Sequence, residues 1–266
     1  MTCPKEKETA GIKLLPMDCY VINLECSKDR WTRVSQSFSI PGIRLIRIEA
    51  VNGLQLTFPQ KDFAERRYRM IHGKRTNPSE VGCFLSHMKA IRAFWESRAE
   101  YALICEDDVS AAPRFMEVLQ EALRYQTSWD LLRLNCLKEP YGFSVETLGH
   151  GYFLHIPVSW CGGAGAYVLN RKAAKGILQC ALPMRHPYDH IFEQNWRMGF
   201  NIAMVKPFPI VLNETSRNSC IGASHSYKLP FLRRYFLTWT LPYRGYMALG
   251  RLVKQYVSLI RYLICR

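Results

Sequence analysis

The run Tyr101-Ala102-Leu103-Ile104-Cys105-Glu106-Asp107-Asp108-Val109 carries an apolar, strand-like segment straight into three consecutive carboxylates. Like charges crowded at the end of a buried strand repel one another and cost desolvation energy, so a neutralising divalent cation is the natural partner for them. In open α/β sheets the C-terminal ends of strands are also where ligands bind. A solvated acidic turn fits the tripeptide equally well, so the rest of the chain has to decide. A further acid, Asp189, follows much later in the loop motif Pro187-Tyr188-Asp189-His190. Carboxylates holding a cation against a diphosphate suit nucleotide-sugar transfer, with the cation as Lewis acid for the leaving group. A separate carboxylate can then take the proton of an attacking sugar hydroxyl.

Other chemistries fail on spacing. Gly162, Gly163 and Gly165 precede an apolar segment instead of following one, and Val168 stands where a dinucleotide fingerprint needs its third glycine. Close backbone packing near a ligand is the better reading of these glycines. Gly73-Lys74-Arg75-Thr76 lacks the upstream glycine of a phosphate-binding loop. A D-x-D-x-T/V phosphatase register would place Glu106 at the nucleophile position, and neither G-x-S-x-G nor H-E-x-x-H occurs. Two rivals remain: a nucleotidyltransferase with the same carboxylate-metal logic, and a catalytically silent membrane-binding protein of the same fold.

The elements that must position these residues alternate between strand and helix. Residues 19–24 (CYVINL) read as a buried strand, 28–38 as a helix, and 43–48 as a second strand ending in the turn Glu49-Ala50-Val51-Asn52-Gly53. Residues 54–75 read as a basic loop with a short helix. Asn77, Pro78 and Glu80 form the signature of a capping box. The stripe Val81, Phe84, Leu85, Met88, Ile91 and Trp95 then predicts a core helix with Ser86 and His87 beside it. Further strands are expected at 101–105, 129–134, 202–205 and 210–212, helices from Pro113 and Arg171, and a loop between 134 and the glycines. This alternation predicts an α/β fold with a largely parallel sheet covered on both faces.

Taken in order, Val21-Ile22-Asn23-Leu24 followed by Arg30, Glu49-Ala50-Val51-Asn52-Gly53, Gly82-Cys83-Phe84-Leu85-Ser86-His87, Glu106-Asp107-Asp108-Val109 and Pro187-Tyr188-Asp189-His190 resemble glycosyltransferase family 25. That family includes bacterial lipooligosaccharide galactosyl- and glucosyltransferases and collagen galactosyltransferase domains. The resemblance covers roughly residues 18–215. Asn52 departs from it, since members usually have Asp there. It implies a Rossmann-like GT-A fold, a UDP-sugar donor and a divalent metal, Mn²⁺ before Mg²⁺. It makes Glu106-Asp107-Asp108 the counterpart of a D-x-D motif, with Asp108 the first metal ligand and Glu106 or Asp107 near the donor's ribose or the metal, Glu106 standing as a candidate for both. Asn23, Arg30, Asn52, Ser86 and His87 become donor-site candidates, Asp189 the base of an inverting displacement, and His225 a late histidine for the metal. The implied acceptor is a lipid-linked lipooligosaccharide or lipopolysaccharide core, and the implied sugar is galactose.

The 266 residues carry a net charge of +14, unevenly spread. Residues 227–266 hold eight Lys and Arg and no acid. Over Arg251–Arg266, Leu252, Val253, Tyr256, Val257, Ile260, Leu263 and Ile264 share one helical face, with Arg251, Lys254, Gln255, Ser258 and Arg261 on the other. A basic amphipathic segment of this kind suits an anionic membrane surface; the alternative is a terminal helix packed on the body with a solvated basic face. No nucleic-acid-binding motif accompanies the charge. We therefore expect a catalytic domain over 1–226 and a membrane-associating segment over 227–266. The first 15 residues lack the apolar core of a secretory signal, no 18-residue apolar run occurs, and none of the ten cysteines is in C-x-x-C spacing. These features predict reduced cysteines and a cytoplasmic protein, peripheral on the cytoplasmic face of the inner membrane.

Overall fold

A computed structural model describes residues 16–213, 227–230 and 239–264. The elements in chain order are β1 (Met17–Asn23), α1 (Lys28–Ser37), β2 (Ile43–Glu49), a 3-10 turn (Gly53–Gln55), α2 (Glu65–His72), α3 (Pro78–Glu96), β3 (Tyr101–Glu106) and β4 (Val109–Ala111). They continue with α4 (Phe115–Arg124), β5 (Leu131–Arg133), β6 (Gly142–Gly149), β7 (Tyr152–Pro157), β8 (Ala166–Asn170) and α5 (Arg171–Cys180). The single turns α6 (Asp189–Phe192) and α7 (Asn195–Met198), then β9 (Ile202–Lys206), β10 (Ile210–Leu212) and α8 (Thr240–Ile264), follow among the described residues.

Among the described residues one eight-stranded sheet has the order β2-β1-β3-β8-β5-β9-β7-β6. β1 pairs in parallel with β2 and β3, and β5 with β9, while β8 and β7 run the other way, so six of the eight strands share one direction. Alternation along the strands divides the core. Tyr20, Ile22, Ala102 and Ile104 face one side and pack under α3 and α5 with Phe84, Ile91 and Ile177. Cys19, Val21, Leu103 and Cys105 face the other and meet Val34 of α1, Phe38 just after it, and Phe115 and Val118 of α4. A strand buried on both faces has no polar face to show, which is why β1 and β3 read as unbroken apolar runs. Helices on both faces of a mostly parallel sheet are the Rossmann-like α/β arrangement expected for a GT-A fold.

The structure corrects the sequence reading at two places and extends it at a third. Asn77 caps α3 by accepting from Ser79 N at 3.1 Å, but Glu80 does not reach back to complete a capping box. Its carboxylate is buried and accepts from the Tyr68 hydroxyl and from Lys74 Nζ, tying α3 to the segment before it. The expected loop after residue 134 contains the hairpin β6–β7 instead, turned at Gly149-His150-Gly151, all with positive φ. The terminal helix begins at Thr240, a full eleven residues before Arg251, and its polar face, not its apolar one, lies against the body.

Candidate functional site

The sheet topology gathers the site segments at one edge. In the parallel pair β1–β3, Ile22 lies opposite Glu106, so Asn23 and Asp107 emerge together one residue further on. β8 runs back between β3 and β5 with Ala166 opposite Cys105, which delivers the glycine segment before it to the same edge. Glu106 N donates to Gly165 O at 2.8 Å there. β4 then pairs with β10, and Asn213 N donates to Asp108 O at 2.8 Å. His225 lies outside the described residues.

The three carboxylates have different partners. Asp107 accepts from Asn23 Nδ2 at 2.6 Å and pairs with Arg30 Nη1 at 3.1 Å. Arg47 in turn donates to Asn23 Oδ1 at 2.6 and 3.0 Å, and Arg30 donates to Ser27 Oγ at 3.1 Å. Burial still raises the Asp107 carboxyl, against the opposing pull of Asn23 and Arg30. Glu106 meets His87 Nε2 at 3.1 Å, with Cys83 Sγ 4.0 Å away. His87 is fully buried, stacked on Tyr188 at 3.9 Å, with Nδ1 3.1 Å from the Tyr167 hydroxyl.

Asp108 is the group with an unmet requirement. It is buried, and its Oδ1 has no hydrogen-bond partner. Burial first, then the charges of Glu106 and Asp107, push its carboxyl up to about 7. A buried carboxylate crowded by two others and short of a donor is the chemistry a hard divalent cation satisfies. Asp108 is thus a candidate to meet such an ion, Asp107 being committed to Asn23 and Arg30; among the described residues the ligand atoms of Cys83, His87 and Glu106 lie within 4.8 Å of one another, which places Glu106 in a second possible ligand set.

Past the ends of β1 and β2, Leu24, Glu25, Cys26, Glu49, Val51, Asn52 and Lys89 line a cleft of about 370 Å³, within the ~300–1,000 Å³ span of small-molecule sites. Its floor is set by close backbone packing. A Cβ on Gly82 would stand 2.6 Å from Val51 O, and one on Gly53 2.0 Å from Pro78 O, so α3 can lie directly against the turn after β2 only with glycine at both positions. Asn52 caps that turn through Leu54 N at 3.1 Å. Ser86 is committed on both sides, donating to Gly82 O at 2.7 Å and accepting from Val51 N at 2.8 Å, which makes it a clip for the cleft wall. Ser86→Ala would leave Val51 N–H without that partner. We expect a stability loss of about 1–2 kcal/mol and a raised KM for the donor, read from urea midpoints and initial rates.

Asp189 opens α6, where Tyr188 occupies the cap position and no side-chain cap bond forms. Its Oδ2 instead accepts from Gly163 N at 3.1 Å. Gly162 and Gly163 both have positive φ, which lets the chain turn that amide toward the carboxylate. The glycine turn is held from below by Arg133, whose guanidinium donates to Gly162 O and Gly163 O and to Cys161 Sγ at 2.8 Å. Cys161 Sγ lies 3.4 Å from Cys136 Sγ, and both thiols are free and buried. Sequence reasoning missed Arg133, although an arginine flanked by leucines in a buried strand signals a hidden set of acceptors. It also missed Arg47, for which no local pattern exists. Arg133 is 2% exposed and stands 3.8 Å from the buried Glu193. Arg133→Leu would leave that carboxylate with Arg251 alone, and we expect a loss of about 3–5 kcal/mol in denaturant unfolding.

A sequence model described as glycosyltransferase family 25 (LPS biosynthesis protein) matches residues 17–192, which contain β1 through α6 and all of the site segments above except the β10 approach to Asp108. A "Glycosyltransferase 25 family member" of Anopheles gambiae is 30% identical over 131 residues, 45% of this chain and 22% of the relative. Procollagen galactosyltransferase 2 of Mus musculus is 29% identical over 126 residues, 43% of this chain and 20% of the relative. A family member of Aedes aegypti is 29% identical over 177 residues, 60% of this chain and 27% of the relative. The chain thus spans between a fifth and a third of the length of these curated relatives. With two thirds of its residues under the family match, the chain belongs to glycosyltransferase family 25.

Proposed function

We propose that this protein transfers a hexose, galactose, from a UDP-sugar to a lipooligosaccharide or lipopolysaccharide core, with inversion and with a divalent metal. The observation that carries the reading is Asp108: a buried carboxyl with an unpartnered oxygen, pushed up to about 7, just past the end of a central strand. Galactose is supported by the procollagen galactosyltransferases among the relatives, and the acceptor by the family's description as LPS biosynthesis proteins.

In this reading the cleft after β1 and β2 takes the nucleoside, and Arg30 and Arg47 keep the Asn23–Asp107 pair rigid beside it. Manganese, or magnesium in its place, would be held by Asp108 and Glu106 and would supply charge neutralisation for the diphosphate leaving group. The acceptor hydroxyl attacks the anomeric carbon, the bond to the UDP oxygen breaks with its electron pair leaving on the diphosphate, and Asp189 receives the hydroxyl proton. The Gly163 amide holds one oxygen of Asp189 and thereby fixes the direction of the other. The acceptor is lipid-linked, so the enzyme would work as a peripheral protein on an anionic membrane, at its cytoplasmic face.

The test is UDP release from a panel of UDP-sugars with lipooligosaccharide acceptors, in Mn²⁺, in Mg²⁺ and in chelator. Metal-dependent UDP release from UDP-galactose is the expected result. Release of pyrophosphate from a nucleoside triphosphate would assign a nucleotidyltransferase instead. Silence with every donor, from a protein that melts cooperatively, would leave a non-catalytic member of the fold.

A further inference from the structure

An amphipathic helix in a soluble domain ordinarily turns its apolar face to the core and its polar face to water. Helix α8 does the reverse. Gln255 and Ser258 on its polar face are 2% and 8% exposed, whereas Leu249, Val253 and Ile260 are 64%, 57% and 52% exposed. Specific contacts along the helix hold this orientation. A Cβ on Gly250 would stand 2.4 Å from the Trp196 ring, so only glycine lets the helix approach the body at that point. Arg251 Nη1 pairs with Glu193 at 2.8 Å, Ser258 Oγ reaches Asn201 Oδ1 at 3.4 Å, and the Tyr262 hydroxyl donates to Glu146. Most of the polar face is thus consumed by the protein, along with Met247, and most of the apolar face is left outward. It widens onto the sheet through Phe143, whose ring lies 6.3 Å from that of Tyr256.

We propose that this outward face is a docking surface for an anionic lipid bilayer, with α8 lying in the interfacial plane and the polar face anchored to the rest of the domain. Charge selects the occupant. The 25 residues of α8 contain no acid, and Arg244 and Arg261 remain exposed at its two ends. A second copy docked on the same face would bring these cations against their own kind, whereas an anionic surface neutralises them. The exposed Trp239, Tyr246 and Tyr256 add the amphipathic rings that settle at a headgroup boundary. No helix among the described residues is long and apolar enough to cross a membrane, so the contact is with its surface. The anchoring also orients the site. Tyr243 of α8 stacks on His186 at 5.2 Å and its hydroxyl meets His186 Nε2 at 2.9 Å, three residues before Asp189. The inference builds on the peripheral location proposed above and names the surface that would produce it.

The experiment is sedimentation of the full chain with vesicles of phosphatidylcholine alone or mixed with phosphatidylglycerol, without donor or acceptor. Its outcome is therefore separate from that of the transfer assay. The wild-type protein should pellet with the anionic vesicles only, and the bound fraction should fall as salt is raised. Val253→Glu combined with Ile260→Glu changes two exposed side chains, so the melting temperature should hold while the partition coefficient drops at least about tenfold. Absence of wild-type binding, or binding that the double variant retains, would overturn the proposal. Self-association in vesicle-free buffer that the same variant abolishes would overturn it too, by assigning the face to a second copy.

Discussion

Asp108→Asn is expected to reduce kcat by roughly three orders of magnitude and at the same time to stabilise the metal-free protein at alkaline pH. Both effects come from one buried carboxyl. As the proposed ligand it would supply the charge that holds the cation, and an amide could not replace that charge. Without a cation it is a burden, because burial and the neighbouring Glu106 and Asp107 raise it from 3.8 to about 7 in the folded protein. A raised carboxyl binds its proton more tightly in the folded state. Its contribution to stability is therefore complete below the unfolded value of 3.8 and is lost as pH climbs through about 7. The asparagine variant has nothing to ionise. In chelator the variant should gain a few kcal/mol over wild type by about pH 8 and almost nothing near pH 4. Melting curves at the two pH values, with and without Mn²⁺, test this directly. Near-normal turnover, or a gain of equal size at both pH values, would remove Asp108 from the metal site.

The second large effect is expected at Asp189. Asparagine keeps an oxygen able to accept from Gly163 N, so the glycine turn stays in place, but it cannot take a proton. Asp189→Asn should therefore cost about 10²–10⁴-fold in kcat with little change in donor KM. A loss smaller than about tenfold, or a loss confined to KM, would make Asp189 a positioning residue for Gly162 and Gly163 and move the base elsewhere.

Much of the scaffold was legible because local rules govern it. β1 and β3 announce themselves as apolar runs since both of their faces are covered, and α3 is marked by Asn77, Pro78 and its stripe of core residues. The E-D-D run stood out for the same reason in reverse, as charge where an apolar strand ends. The hairpin β6–β7 escaped notice because its strands are only partly apolar and one face of β6 is open to solvent. Glu80 was misassigned because a capping box is a local pattern, and the carboxylate found stronger partners, Tyr68 and Lys74, through the tertiary fold. The role of Ser86 as a clip and of Arg133 as the support of the glycine turn depend on contacts with residues 35 and up to 30 positions away. No window of sequence contains such pairs.

The sequence by itself determined which residues could do chemistry, the alternation that makes an α/β sheet, and the family to which the chain belongs. It also determined that the end of the chain is basic and amphipathic. Tertiary structure alone decided how the partners of the three acids differ, because strand register sets Asp107 beside Asn23 while Asp108 Oδ1 is left without a donor. It alone decided which face of α8 is turned outward, because Gly250, Arg251 and Ser258 meet the body while Leu252, Val253 and Val257 between them stay exposed. Type and spacing are properties of one segment, whereas partnership and exposure belong to the surfaces that two distant segments make together.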